Sequence, residues 1–290
     1  MSKYKAISLS SGSAKGLLQL GALHAAEING MLEDVKIFAG CSVGAAISLL
    51  LAVGWKPVEI FSQVCSDDLV KYINTEFNLQ ATIKNWGFLN QTKFREYMSR
   101  MIVAKWGGIP TFKDLYSNGI VYICNAFKLK SSNPKVYFSH LTHPNMSCLD
   151  AAILSSAIPF IFQAQHYEGN YYIDGGAFDL NPVYHVEHYM REQSIPLTSK
   201  CILGISLEQR NTEEEKEPIQ SMVEYVKEIA FLAIYIQDIP LANEHIDMIV
   251  LESQDIPRLQ LMPSNTEKIK WFIHGLHQGL KHYGQQATQE

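Results

Sequence analysis

The chain has 290 residues, of which 47% are hydrophobic and 18% charged, a composition that excludes an intrinsically disordered protein. It carries 24 lysine and arginine residues against 29 aspartate and glutamate residues, and this net charge of −5 excludes the broad basic surface of a nucleic-acid-binding protein. The length suffices for one large α/β domain with its own core, so we expect residues 1–290 to form a single domain.

The first predicted elements are a strand over residues 6–10, a loop of small residues, and an amphipathic helix over residues 17–29 that Gly30 ends. Such a loop allows backbone N–H groups to point into a cavity at the start of the helix, where they can hold an oxyanion or a phosphate. It lacks the G-x-x-x-x-G-K-[ST] pattern of a P-loop, and by itself a plain strand-to-helix turn explains it more simply. The loop sequence is Ser11-Gly12-Ser13-Ala14-Lys15-Gly16.

The most informative motif follows, at Gly40-Cys41-Ser42-Val43-Gly44. The apolar residues 35–39 before it predict a strand, and the apolar residues 45–51 after it predict a buried helix. Glycines on both sides let the backbone reverse tightly, which presents the Ser42 hydroxyl at a helix N-terminus, where developing negative charge is favoured. The pattern predicts the nucleophile elbow of a serine acyl hydrolase, with Ser42 rather than the neighbouring Cys41 as the nucleophile.

Helices and strands alternate through the middle of the chain. An apolar and aromatic stretch over residues 72–106 is interpreted first as core, with the hypothesis that part of it forms a mobile entrance for an acyl chain. A capping box, Ser147-x-x-Asp150, predicts the start of a helix that reaches Ser156. The other predicted elements are helices over residues 57–70 and 92–105 and strands over residues 119–129 and 136–139.

A second polar motif, Asp174-Gly175-Gly176, ends a predicted hairpin. Residues 167–171 are typical of a hairpin turn, so Asp174 ends the returning strand. An aspartate before two glycines can form a turn through its own side chain, or it can hold a carboxylate at the mouth of a sheet. Considered alone, the turn is the simpler interpretation.

The last third of the chain continues the alternation, with a predicted helix over residues 182–193 and a buried strand over residues 201–207. Residues 211–217 are predicted as a charged surface loop, and residues 222–241 as a buried helix in preference to an interfacial surface. The whole pattern predicts an α/β fold, a three-layer sandwich whose central, mostly parallel sheet has helices on both faces. A final helix is capped by Ser264-x-x-Glu267, with an expected apolar face at Ile269, Phe272, Ile273, Leu276, Leu280 and Tyr283.

Together the loop, the elbow and the aspartate motif resemble the patatin-like phospholipase family, and the similarity extends from about residue 5 to about residue 284. The resemblance implies a Ser–Asp dyad without a catalytic histidine, in which Ser42 is the nucleophile and Asp174 the general base. It also implies that the backbone N–H groups of Gly12 and Ser13 form the oxyanion hole. The segments Ser155-Ser156-Ala157-Ile158-Pro159-Phe160 and Leu180-Asn181-Pro182 are similar to the family as well. The remaining motif residues are Ser11, Lys15, Gly16, Gly40, Gly44, Gly175 and Gly176.

The loop departs from the family in one respect. The family usually has three consecutive glycines there, whereas Ser11 and Ser13 flank Gly12 in this chain. A serine would be strained if the donor position requires a positive φ, and the serine hydroxyls could themselves donate. The departure leaves the identity of the oxyanion donors open.

The activity implied by the resemblance is hydrolysis of fatty acyl esters of phospholipids or related glycerolipids, through an acyl-enzyme on Ser42, at a transient membrane or micelle surface. We expect no metal and no other cofactor, and activity that persists in EDTA. No nucleic-acid partner is expected, and an activating protein partner stays open.

Two other functions stay open. One is an α/β-hydrolase esterase whose Ser–Asp–His triad uses His274 or His277, although only 41 residues precede Ser42, which is short for that fold. The other is a non-catalytic lipid-binding protein that keeps the fold.

Three His-x-x-His pairs lack the H-E-x-x-H pattern of zinc enzymes, so we expect these histidines to lie on the surface or to pack between helices. The pairs are His140 and His143, His185 and His188, and His274 and His277.

The sequence also suggests a cellular location. The five cysteines are odd in number and widely spaced, which favours reduced thiols. Residues 1–5 lead directly into a strand, so no signal peptide is expected, and the apolar run 43–53 is too short to cross a bilayer. We expect a cytoplasmic or membrane-peripheral protein; the family resemblance is also compatible with a secreted effector that lacks a signal peptide.

Overall fold

A computed structural model describes residues 3–66, 87–163, 165–208, 237–253 and 263–287, together with positions 220, 221, 225, 229 and 256. The end of the predicted helix 57–70, the aromatic stretch up to residue 86, the charged loop 211–217 and most of the predicted helix 222–241 lie outside these residues.

The main sheet is mixed, and its central strands are parallel. Its strand order is β10-β9-β1-β2-β4-β8-β7, with β5 also paired to β4. Neighbours from β10 to β4 run parallel, whereas β5, β7 and β8 pair antiparallel. A separate two-stranded sheet pairs β3 with β6. The strands are β1 (Ala6–Leu9), β2 (Ile37–Gly40), β3 (Gly87–Leu89), β4 (Val121–Lys128), β5 (Lys135–Phe138), β6 (Phe160–Phe162), β7 (Gln165–Tyr167), β8 (Asn170–Asp174), β9 (Ile202–Leu207) and β10 (Ile246–Leu251).

Helices fill the connections between these strands at nearly the predicted positions. Short 3-10 turns occur at Ser13–Lys15 and Gly175–Ala177. Among the described residues, no single helix is both long and apolar enough to cross a membrane. The helices are α1 (Gly16–Ile28), α2 (Val43–Ala52), α3 (Pro57–Ser66), α4 (Thr92–Trp106), α5 (Phe112–Ser117), α6 (Cys148–Ser155), α7 (Val183–Glu192) and α8 (Asn265–Ala287).

The core lies on both faces of the sheet, because successive strand residues point to opposite sides. In β1, Ile7 joins a large apolar cluster with α1 and α2, whereas Ala6 joins a smaller cluster with Val183 and Val186 of α7. The sheet is therefore covered by helices on both faces, which confirms the predicted three-layer α/β sandwich.

The predicted capping boxes differ in their outcome. Ser264 and Glu267 bond reciprocally at the start of α8, as predicted. At the start of α6, the Ser147 side chain accepts from the Asp150 N–H, but the Asp150 carboxylate pairs with Arg95 instead of returning a bond. The ion pair with Arg95 of α4 therefore takes the place of the second hydrogen bond of the capping box, the one from the Ser147 N–H to the Asp150 carboxylate.

The predicted apolar face of α8 was partly wrong. Phe272 and Tyr283 are buried, but Ile269, Ile273 and Leu280 are 48%, 43% and 38% exposed. The physical reason is that glycines of α8 let its backbone approach α1 closely, with Phe272 packed beside His24 of α1. A Cβ on Gly275 would lie 2.0 Å from the carbonyl oxygen of Leu18, so close backbone approach decides which side of α8 faces inward.

Candidate active site

The predicted elbow is present, with Ser42 between β2 and α2. Ser42 has φ 55° and ψ −122°, a combination that is unfavourable for an L-residue by about 1–3 kcal/mol. The two glycines make this turn sterically possible. A Cβ on Gly40 would lie 2.3 Å from the carbonyl oxygen of Gly44, and a Cβ on Gly44 would lie 2.3 Å from the carbonyl oxygen of Leu9. Both positions therefore require glycine.

The sheet topology explains why Asp174 lies beside this turn. Residues 126 and 127 of β4 pair with both β5 and β8, so those two strands occupy opposite edges of β4. Cys124 pairs with both Gly40 of β2 and Phe138 of β5, so β2 and β8 share the other edge. The two strands run toward each other there, because β2 is parallel and β8 antiparallel to β4. Gly40 ends opposite Cys124 and Asp174 ends opposite Ala126, which brings the elbow and the aspartate together.

The Asp174 carboxyl is buried and unequally hydrogen-bonded. Its Oδ1 accepts from the backbone N–H of Gly176 at 2.7 Å and from the thiol of Cys41 at 3.8 Å. Its Oδ2 has no partner of ordinary hydrogen-bond geometry among the described residues, although the Ser42 hydroxyl lies near enough to affect the carboxyl. Burial raises the pKa of Asp174 to about 6, and the nearby Ser42 hydroxyl, together with the hydrogen bonds from Gly176 and Cys41, offsets part of that rise.

A carboxyl with this pKa is a stronger base than an ordinary aspartate and is still largely ionised at neutral pH. The neighbouring Cys41 is fully buried, and burial together with the Asp174 charge raises its pKa well above the usual range. Its thiol is therefore neutral and acts toward Asp174 as a hydrogen-bond donor.

The turn after Asp174 is held by residues that the motif did not indicate. The side-chain amide of Asn125 donates to the carbonyl oxygen of Asp179 at 2.8 Å, and a Cβ on Gly175 would lie 2.4 Å from the carbonyl oxygen of Asn125. The side-chain amide of Gln237 donates to the carbonyl oxygen of Gly176 at 2.6 Å. The sequence does offer a signal for such a role of Asn125, because it is a polar residue inside an otherwise apolar, buried strand.

The loop between β1 and α1 lies against the elbow. A Cβ on Gly16 would lie 2.7 Å from a methyl group of Val43. The N–H of Ser11 donates to the carbonyl oxygen of Leu180 at 2.8 Å and is therefore occupied. No acceptor for the N–H groups of Gly12 and Ser13 is found among the described residues.

Ser13 has the positive φ that would favour glycine at its position in the loop. Its φ is 52°, so it occupies the left-handed region that favours glycine. Its Oγ is buried without a hydrogen-bond partner among the described residues. Lys15, in the same loop, donates from Nζ to Oγ of Ser253 at 3.2 Å.

The N–H of Ser42 itself donates to Oγ of Ser155 at 2.9 Å. Ser155 is the last residue of α6 and is fully buried. Because this N–H is already used, it is not available to a ligand next to Ser42. In the sequence, the segment 155–160 is similar to the family, but no local pattern marks Ser155 as a partner of Ser42.

Among the described residues, no histidine hydrogen-bonds to the Asp174 carboxyl. His274 and His277 are exposed on α8, and the hydrogen-bonding groups that shift the pKa of Asp174 are Ser42, Gly176 and Cys41. His140 stacks on Tyr116. Within the part of the chain that the structure describes, no group of three or more His, Cys, Asp and Glu side chains is arranged to hold a metal ion.

The sequence model of the patatin-like phospholipase family matches residues 7–186, which is more than half of the chain and includes Ser42 and Asp174. The chain belongs to the patatin-like phospholipase family. A viral relative, the probable lipid hydrolase 463L of Invertebrate iridescent virus 6, is 31% identical over 183 residues, which are 62% of this chain and 62% of the relative. This patatin-like chain thus matches about three fifths of the length of that relative.

Solved structures share the fold at low sequence identity. VipD from Legionella pneumophila superposes with a TM-score of 0.66 and 15% identity over 97% of this chain and 66% of VipD. The type III effector protein ExoU superposes with a TM-score of 0.52 and 14% identity over 97% of this chain and 53% of ExoU. These similarities support the patatin-like fold assignment and nothing finer.

Proposed function

We propose that this patatin-like protein is a serine lipid acyl hydrolase that cleaves fatty acyl esters of phospholipids or related glycerolipids. The observation that carries the proposal is the convergence of Ser42 on a buried Asp174 whose pKa is raised to about 6. The name of the viral relative, a probable lipid hydrolase, supports a lipid as the substrate class.

The first half of the reaction acylates Ser42. Its Oγ attacks the ester carbonyl carbon while Oδ2 of Asp174, the oxygen without an ordinary partner, accepts the hydroxyl proton. The resulting tetrahedral oxyanion is stabilised by the N–H groups of Gly12 and Ser13. The C–O bond to the leaving alcohol then breaks, and Asp174 returns the proton to the alcohol oxygen.

The second half releases the fatty acid. Asp174 accepts a proton from a water molecule, which attacks the acyl-enzyme carbonyl, and the same N–H groups hold the second oxyanion. Collapse of this intermediate breaks the bond to Ser42, whose oxygen recovers the proton from Asp174. One donor in an oxyanion hole contributes on the order of 10²–10³ in turnover, so the two loop N–H groups carry much of the rate.

We further propose that residues 1–290 act as one catalytic domain at a membrane or micelle surface. The substrate has to reach a nucleophile that is only 4% exposed, which requires an acyl chain to enter between apolar side chains. A cytoplasmic or membrane-peripheral location is consistent with this role.

The direct test is release of free fatty acid from mixed phosphatidylcholine micelles, compared between wild type and Ser42→Ala. Ser48→Ala is the matched control, because Ser48 is equally buried in α2 but its hydroxyl donates to the carbonyl oxygen of Ala39. We expect release by wild type and by Ser48→Ala, both in EDTA and in its absence, and none by Ser42→Ala. Equal release by Ser42→Ala and wild type would overturn the proposal.

A further inference from the structure

The backbone N–H of Ser42 donates to a side chain, whereas the N–H groups of Cys41 and Gly44 in the same elbow use backbone acceptors. Ser155 Oγ accepts this bond at 2.9 Å, whereas Cys41 and Gly44 donate to the carbonyl oxygens of Leu9 and Cys41. We propose that Ser155 is a positioning residue that holds the nucleophile in its reactive conformation. This inference rests on the proposed function.

Ser155 supplies an attraction that the glycines of the elbow cannot. Gly40 and Gly44 only make room for the turn, because they remove side-chain clashes. Ser42 keeps a φ of 55° in a buried position, where its N–H would otherwise lack an acceptor. The bond to Ser155 satisfies this N–H only when the peptide between Cys41 and Ser42 keeps its orientation, so it favours the strained turn over a relaxed one.

The same segment also contacts the candidate base. The carbonyl oxygen of Ala157 accepts from the backbone N–H of Asp174 at 2.9 Å. Ser155 and Ala157 therefore bind the backbones of both Ser42 and Asp174, which come from strands that approach each other end to end. The end of α6 thus fixes the separation between the attacking hydroxyl and the carboxylate that accepts its proton.

The end of α6 is itself anchored. The side-chain amide of Gln91, which is 3% exposed, donates to the carbonyl oxygen of Ser156 at 3.0 Å. The Ser156 hydroxyl donates to the carbonyl oxygen of Ala152 at 2.9 Å, within its own helix. Ser156 therefore offers a matched control: a second buried serine next in sequence, with a bonded hydroxyl, that does not contact Ser42.

The test compares Ser155→Ala, Ser155→Cys and Ser156→Ala in the full-length protein. The readouts are the second-order rate of labelling by a fluorophosphonate, kcat and KM for a soluble short-chain ester, and the melting temperature. The cysteine variant keeps nearly the volume of serine but offers only a weak acceptor, so it separates loss of the hydrogen bond from loss of packing. If the alanine variant does not fold, the labelling rate of the cysteine variant alone tests the role of the hydrogen bond.

We expect Ser155→Ala and Ser155→Cys to label about 10–100-fold more slowly, because a displacement of about 1 Å at a reacting atom can cost ~10²-fold. The loss should fall on kcat with KM unchanged, and Ser156→Ala should label within about threefold of wild type despite a similar change in melting temperature. Folded Ser155 variants that label as fast as wild type would overturn this inference alone. A wild-type protein that is not labelled would overturn the proposed function, and this inference with it.

Discussion

The backbone N–H of Gly176 donates a 2.7 Å hydrogen bond to Oδ1 of Asp174, and yet the pKa of this carboxyl is raised to about 6. Such a bond stabilises the ionised form, so it acts against the rise. Burial is the larger effect, since Asp174 is only 3% exposed. Burial thus outweighs the hydrogen bonds and leaves a carboxylate that is ionised at neutral pH but more basic than a surface aspartate.

The first prediction concerns pH. Because Asp174 accepts the Ser42 proton only when ionised, the labelling rate with a fluorophosphonate should fall as pH drops through about 6, approaching tenfold per unit below it. The measurement is the second-order labelling rate between pH 4.5 and 8, with circular dichroism as the check that the protein stays folded. A rate that is flat down to pH 4.5 in folded protein would contradict a general base with this pKa.

The second prediction follows from the same pKa and concerns stability. The folded pKa lies above the unfolded value of 3.8, so the native state binds the proton more tightly and loses stability as pH rises from about 4 through about 6. The loss persists above pH 6 and, at about 1.4 kcal/mol per pKa unit, amounts to as much as about 3 kcal/mol. Asp174→Asn should therefore label far more slowly than wild type but unfold at higher denaturant concentration at pH 8. The gain should shrink at pH 5, and a variant less stable than wild type at pH 8 would contradict the prediction.

The elbow could be predicted from the sequence because five consecutive residues encode it. Glycine spacing around Ser42 is a local requirement of the turn, and apolar runs on both sides predict the strand and helix that flank it. The helices and strands were predictable for the same reason, since their periodicity is local.

The supporting contacts could not be predicted, because they join distant parts of the chain. Ser155 lies 113 positions from Ser42, and Gln237 lies 61 positions from Gly176. Their roles depend on where strands and helices end in space. The inward face of α8 was misassigned for a related reason: glycines that allow close helix packing carry no hydrophobic signal, so the pattern favoured the larger side chains.

The third prediction tests the steric requirement of the elbow. Gly44→Ala would place a Cβ 2.3 Å from the carbonyl oxygen of Leu9 in β1, and a sheet backbone cannot move away cheaply. We expect a loss of about 1–3 kcal/mol or more in the free energy of unfolding. Gly108→Ala is the matched control, since a Cβ there meets nothing within 4 Å, and it should change stability by no more than about 0.5 kcal/mol. Similar urea midpoints for the two variants would argue against this geometry.

The fourth prediction separates the backbone of Ser13 from its side chain. Ser13→Gly removes the cost of a φ of 52° and an unpartnered buried hydroxyl, and should stabilise the protein by about 1 kcal/mol. The labelling rate should stay within about threefold, because the backbone N–H that we assign to the oxyanion hole is kept. Slower labelling in a stabilised Ser13→Gly protein would mean that the hydroxyl, rather than the N–H, is the donor.

The fifth prediction distinguishes the dyad from a triad. His274 and His277 are both exposed on α8, so replacing both with glutamine should leave the labelling rate and the melting temperature unchanged. A fall of more than about tenfold in the labelling rate of the folded double variant would instead favour a Ser–Asp–His triad.

The central claim, that Asp174 activates Ser42, is tested most directly by intact-protein mass measurement after incubation with a fluorophosphonate, with and without phospholipid micelles. The account predicts one adduct on wild type, none on Ser42→Ala, and a strongly slowed adduct on Asp174→Asn. An adduct on Ser42→Ala, or none on wild type even when micelles are present, would contradict it.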